Sequence, residues 1–219
     1  MVVGDADLLG LSGAVSPGTS ILIAGPAMTG KRQLMFDFLE DAADTRAAFV
    51  TTKRDAERME AESGAAWTLA DWELTIVDCV SRQRGVEADP ETATFEYVAR
   101  PGDLTGIGIA LSGFMQDAYH DPDASHPAVG LHSLSTLLMY ADVRRVYQFL
   151  HVITGRIDSS EFTGAFTFDL VGGDESHLAR FRELFDGLVE VREGDEEGRQ
   201  IRTRGAVDGP RGWVSYPLK

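Results

Sequence analysis

A chain of 219 residues with 43% hydrophobic content is long enough for one sizeable core and short for two, so a single domain over 1–219 is expected. Asp and Glu number 35 against 20 Lys and Arg, a formal net charge of −15, which repels nucleic acid and anionic membranes unless a local basic patch overrides it. One cysteine, Cys79, excludes an internal disulfide and a cysteine-built metal site, and reads as buried filler.

The lysines are Lys31, Lys53 and Lys219, and arginine carries the other positive charges. Such an Asp-rich, Lys-poor composition fits a high-salt cytoplasm, where acidity serves solubility and says little about partners. No apolar run approaches the roughly 20 residues of a membrane span, and the N-terminus lacks a charged-then-apolar signal pattern, so a cytoplasmic protein is expected.

In chain order, Ser20–Ala24 is an apolar run of strand length. Leu34, Met35, Phe38, Leu39 and Ala42 then recur at helical spacing after Gly30. Ala47–Thr52 and Leu74–Cys79 read as the second and third strands. The polar stretch around Glu87–Glu91 reads as a loop, and Asp103–Ala118 as a helix introduced by Pro101-Gly102. Pro127–Leu131 is a fourth strand. Val143, Val146, Tyr147, Phe149, Leu150 and Ile153 form the face of a further helix, with Gly155 as its expected stop. Ala165–Leu170 is a fifth strand, followed by a helix with Leu178, Phe181, Phe185 and Leu188 on one face.

Leu188–Arg192, Arg199–Arg204 and Trp213–Tyr216 close the chain as strands. They are separated by the turn signals Glu193-Gly194-Asp195 and Asp208–Gly212. Strand-length runs alternating with helical segments predict the α/β class, with a mostly parallel sheet flanked by helices.

Between the first strand and its helix, Gly25-Pro26-Ala27-Met28-Thr29-Gly30-Lys31 fits the Gly, four residues, Gly-Lys half of the Walker A pattern. Glycines let backbone N–H groups curl around phosphate oxygens, the helix N-terminus favours negative charge, and Lys31 can reach the outer phosphates. The candidate phosphate-binding residues are therefore Gly25, Pro26, Ala27, Met28, Thr29, Gly30, Lys31, Arg32 and Gln33. Arg32, however, stands where the full motif places a magnesium-binding hydroxyl, and a guanidinium has no lone pair for a metal.

With that loop, the segments Leu11-Ser12-Gly13, Ser16-Pro17-Gly18-Thr19, Ile76–Cys79, Ser133-Leu134-Ser135, Leu184–Glu190 and Ile201–Gly205 resemble, in order, the KaiC-like branch of the RecA superfamily. The resemblance implies a RecA-like P-loop fold with antiparallel C-terminal strands. It also implies acidic residues ending the second strand and an aspartate ending the Walker B strand. Here Lys53 and Arg54 replace the first, and His132 replaces the second. Protonated lysine and arginine cannot take a proton from water, and histidine is a poor ligand for magnesium. Asp55 or Glu57 could serve as base only if the strand ended later.

The resemblance further makes Arg202 and Arg204 a candidate finger reaching a neighbouring subunit's nucleotide, which requires head-to-tail assembly. The expectation is thus a pseudo-ATPase with no catalytic residue and no metal site. Its ligand would be ATP or another nucleotide held without magnesium by Lys31, Arg32, Lys53, Arg54 and, if protonated, His132. It would act as a regulatory or interaction module on a protein partner, as a homo-oligomer or with a related ATPase. The alternative is an active ATPase with a rearranged metal shell. Without a basic run or an aromatic-basic strip, nucleic acid is not an expected partner.

Overall fold

The computed structural model describes residues 15–42, 46–59, 73–85, 95–122, 124, 126–170, 175–194 and 198–216. The segment Leu11-Ser12-Gly13, the loop Glu87–Glu91 and Asp195 lie outside the described residues. The strands are β1 (Ser20–Gly25), β2 (Arg46–Thr51), β3 (Glu73–Asp78), β4 (Phe95–Tyr97), β5 (Ala128–His132), β6 (Thr163–Asp169), β7 (Gly187–Glu193), β8 (Arg199–Gly205) and β9 (Val214–Tyr216). The helices are α1 (Lys31–Ala42), α2 (Leu104–His120), α3 (Leu134–Tyr140), α4 (Val143–Ser159) and α5 (Glu175–Arg182).

These strands form one sheet in the order β4-β3-β2-β5-β6-β1-β7-β8-β9. β1 to β7 run parallel, and β8 and β9 extend the sheet antiparallel. The central strands read as unbroken apolar runs because both of their faces are covered. Strand alternation sends Leu22, Ala48, Val50, Val129, Leu131, Phe166 and Phe168 to one face, where α2, α3, α4 and α5 pack. It sends Ile21, Ile23, Ala47, Phe49, Ala128, Ala165, Val189 and Ile201 to the other, against Leu34, Met35, Phe38 and Leu39 of α1. A helix–sheet–helix sandwich follows directly from that alternation.

Local chemistry sets the helix boundaries. The Asp103 side chain accepts from Gly106 N–H (2.9 Å) at the start of α2, and Asp142 accepts from Arg144 N–H (2.8 Å) at the start of α4. Two expectations need correction. Gly155 does not stop α4, which continues to Ser159. Gly155 is exposed there with an open surround, so helical backbone tolerates it. α5 ends at Arg182, and Leu188 belongs to β7, where it pairs with Leu22; it shares a core with Phe181, not a helix. Finally, Ser133-Leu134-Ser135 opens α3, a helix with Leu134 and Leu137 buried that the apolar pattern alone does not announce, and the same holds for β4.

Candidate functional site

Parallel strands end on the same edge, and their register aligns the residues just beyond them. Gly25 pairs with Asp169 across β1 and β6, and Thr51 pairs with His132 across β2 and β5. The loop after β1, the turn Lys53–Arg54 after β2 and the ends of β5 and β6 therefore meet at the carboxyl edge, where open α/β sheets bind ligands. A cleft of about 360 Å³ lies there, lined by Ala27, Met28, Thr29, Gly30, Lys31, Arg32, Gln33, Lys53, Arg54, His132, Asp169 and Arg199.

The loop's shape follows from its residues. A Cβ on Gly25 would sit 2.3 Å from the Val191 carbonyl oxygen, so only glycine lets β7 approach there. Gly30 turns into α1 with φ 77°, a left-handed conformation that costs glycine little. Thr29 Oγ1 donates to the Pro26 carbonyl (2.8 Å) and closes the loop on itself. The first N–H groups of α1 have no intrahelical acceptors and point back towards this loop. Pro26 and Gly25 build the base of the cleft without lining it.

Lys31 is 3% exposed, and its Nζ donates to the Pro26 carbonyl and lies 2.9 Å from Asp169 Oδ1. Lys53 Nζ takes the other oxygen, Asp169 Oδ2. Ser135 fixes the strand end beneath them, since its Oγ accepts from Asp169 N–H (2.8 Å) and donates to the Asp169 carbonyl (3.1 Å). Burial works to raise the Asp169 carboxyl, but the hydrogen bond from Lys53 and the charge of Lys31 outweigh it and hold the group below its ordinary value. Burial pulls Lys31 down in turn, against the opposing pull of Asp169.

Burial also lowers the half-buried Arg32, and neighbouring Arg58 adds to the effect; Arg32 Nη1 lies 3.9 Å from Met59 Sδ. Among the described lining residues, five cations thus face one carboxylate that is engaged by two lysines, on a chain of net charge −15. The local field is the reverse of the global one.

His132 departs from the expectation of an added cation. Burial, with Lys53 adding to it, pushes the imidazole down to about 3, so it is neutral at pH 7. Its Nδ1 lies 2.7 Å from Thr167 Oγ1. Between pH 6.5 and about 3 the unfolded chain binds a proton that the folded one refuses, so stability falls as pH drops through that window. Thermal melts from pH 7 to 4 should therefore show a flatter pH dependence for His132→Asn than for the parent. The difference should reach a few kcal/mol, because each tenfold loss of proton affinity on folding is worth about 1.4 kcal/mol.

Asp55 and Glu57 are not at the cleft. Asp55 accepts from Arg58 N–H (2.9 Å) and pairs with Arg84 (3.1 Å), and Glu57 is exposed. Arg202 and Arg204 lie elsewhere too: both donate to Glu190 of their own chain, Arg202 through Nε at 2.6 Å and Arg204 through Nε at 2.8 Å. The Arg202 guanidinium also sits 4.4 Å from the centre of the Trp213 ring.

Two site residues are not evident from the sequence. Asp169 ends an apolar strand at its carboxyl end, a pattern that marks ligand-facing positions, but its meeting with both lysines depends on the β1–β6 register. Arg199 sits on the β8 face that buries Ile201 and Thr203, opposite the one carrying Arg202 and Arg204. From there its Nη2 donates to the Met28 carbonyl (2.8 Å), while Nη1 is buried without a hydrogen-bond partner among the described residues.

Fold and site together define an α/β protein with a cationic cleft at the carboxyl edge of its parallel strands. Residues 18–191 match DUF7504, a family of unknown function, and the chain belongs to that family. No curated protein matches the chain. The matched span holds Lys31, Lys53, His132 and Asp169, whereas Arg199 falls beyond it.

Proposed function

We propose that this chain is a RecA-like P-loop module of the KaiC-like kind that binds a nucleotide's phosphates without magnesium, does not hydrolyse them, and acts through a protein partner. One observation carries the reading: the lining set of Lys31, Arg32, Lys53, Arg54 and Arg199 against Asp169 alone. Lysine and guanidinium groups neutralise phosphate oxygens directly, the forked donors of arginine suiting two oxygens at once. Hydrolysis needs a group that takes the water's proton. Asp169, held below its ordinary value by two lysines, is a weak base, and neutral His132 has its Nδ1 committed to Thr167.

The sheet order supports the same reading, because it brings the loop after β1 beside the ends of β2, β5 and β6. So does Arg199, which lines the cleft and adds a forked guanidinium suited to anion oxygens.

Calorimetry with ATP in EDTA tests the reading. Binding should appear without metal and weaken by about tenfold or more in Lys31→Ala, each lost charge-assisted hydrogen bond being worth roughly 1.5–3 kcal/mol. Arg199→Ala should weaken it in the same direction. Binding only with added magnesium, or multiple-turnover hydrolysis abolished by Lys31→Ala, would establish an active ATPase instead.

A further inference from the structure

A second feature lies on the face of the sheet covered by α2 and α4. A groove of about 680 Å³ runs between these helices on their outer side, spanned at one end by the hydrogen bond from Arg156 Nη1 to Ser112 Oγ. Its floor is Phe149 and the buried Leu104 and Ile153, and its rims are Ile109, 69% exposed, and Val152, 52% exposed. Gly108 and Gly113 leave the groove open: a Cβ on Gly113 would meet nothing within 4 Å, and one on Gly108 only Phe149 at 3.9 Å. A second cavity of about 480 Å³ shares Ser112, Gln116 and Arg156 with the first and ends at Tyr119, 67% exposed. Ile109, Tyr119 and Val152 are three of the seven large apolar side chains exposed among the described residues.

The charge of this face is as unusual as its hydrophobicity. Among the described residues lining the two cavities there are arginines, Arg145 and Arg156, and no Asp or Glu, although acids outnumber bases 35 to 20 in the chain. An apolar trough flanked by guanidinium groups complements a helix that carries apolar residues at i, i+3 or i+4 and i+7 and carboxylates beside them. α2 is 17 residues long, about 25 Å at 1.5 Å per residue, enough to seat several turns of such a helix.

We infer that the α2–α4 groove is a docking surface for an acidic amphipathic helix of a partner protein. Apolar burial on Phe149, Ile109 and Val152 supplies affinity, while Arg145 and Arg156 select the sign of the partner's charge. The surface lies on the sheet face away from α1, so it stands or falls independently of the anion cleft.

Titration of a fluorescent peptide into the full chain tests this, using a helix of about five turns with a leucine stripe flanked by glutamates. Its control carries lysines in place of the glutamates. The acidic peptide should bind and the lysine version should not. Gly113→Leu, which fills the groove from an open position on a helix and so keeps the fold, should weaken binding by about tenfold or more. Arg145→Glu should weaken the acidic peptide and admit the lysine one. Equal binding of both peptides, no binding of either, or binding unchanged in Gly113→Leu would overturn the inference. It would also be overturned by a dimer in light scattering that Gly113→Leu dissolves, or by capture of the chain on phosphatidylglycerol vesicles that Gly113→Leu prevents; these would assign the face to a second copy or to lipid.

Discussion

Asp169→Asn should lower the stability of the chain by roughly 3–5 kcal/mol in a buffer free of multivalent anions, and phosphate-rich ligands should restore much of the loss. Removing one partner of a buried ion pair leaves the other uncompensated, which is the expensive way to break it. Here the stranded group is Lys31, 3% exposed, with Lys53 beside it. The asparagine retains the backbone bonds with Ser135, so the change is confined to charge.

Inorganic triphosphate at about 100 times its dissociation constant adds about 2.7 kcal/mol by mass action. The same variant should bind the anion more tightly than the parent, because no carboxylate then competes for the lysines. Urea melts with and without triphosphate read both effects. A variant as stable as the parent and indifferent to anions would show that Asp169 does not hold the cleft together. The pH dependence has a definite sign: because Asp169 is held below its ordinary value, its stabilising contribution is complete above about pH 4 and disappears as acid protonates the folded state.

The second large effect concerns a residue outside the cleft. Asp78, fully buried at the end of β3, accepts from Ala56 N–H (2.7 Å), Val80 N–H (2.7 Å), Ser81 N–H (2.9 Å) and Ser81 Oγ (2.7 Å). Asp78→Ala orphans several buried donors at about 1–3 kcal/mol each, so a loss of at least about 3 kcal/mol is expected. Asp78→Asn should not rescue fully, because its amide has one acceptor oxygen and two donors where donors already converge. The bond to Ala56 also tethers the chain two residues after Arg54. Anion affinity should therefore fall in Asp78→Ala even where the protein remains folded, and calorimetry at low temperature separates the two losses.

What could be read directly from the residues was whatever repeats along the chain. Ser20–Ala24, Leu74–Cys79 and Ala165–Leu170 are mostly apolar runs of strand length, and they sit within a residue or two of β1, β3 and β6. The turn from Gly25 to Lys31 was legible as a loop between strand and helix, because Gly30 and the Thr29–Pro26 hydrogen bond set its bend locally. What escaped was set by register and by depth. Asp169 and Arg199 reach the cleft only because particular strands lie side by side with particular faces in common. His132 reads as a further cation in the sequence, yet burial removes its charge, and burial is a property of the folded chain. Of the three arginines on β8, Arg199 lies on the side that meets the loop, while Arg202 and Arg204, expected as a finger towards a neighbouring subunit, lie on the other side and pair with Glu190 of their own chain.

The place of β1 in the sheet bears on how the protein comes into being. The strand that carries the loop is the first of the described strands to leave the ribosome, yet both of its neighbours, β6 and β7, belong to the final third of the chain, and Arg199 follows later still. A nascent chain therefore carries the loop without either flank until residues 163–193 have been made. Pairings so distant in sequence form late and slowly. Pairing of β6 between β1 and β5 is what brings Asp169 to the two lysines, and the cleft lacks its Arg199 wall until β8 has joined β7.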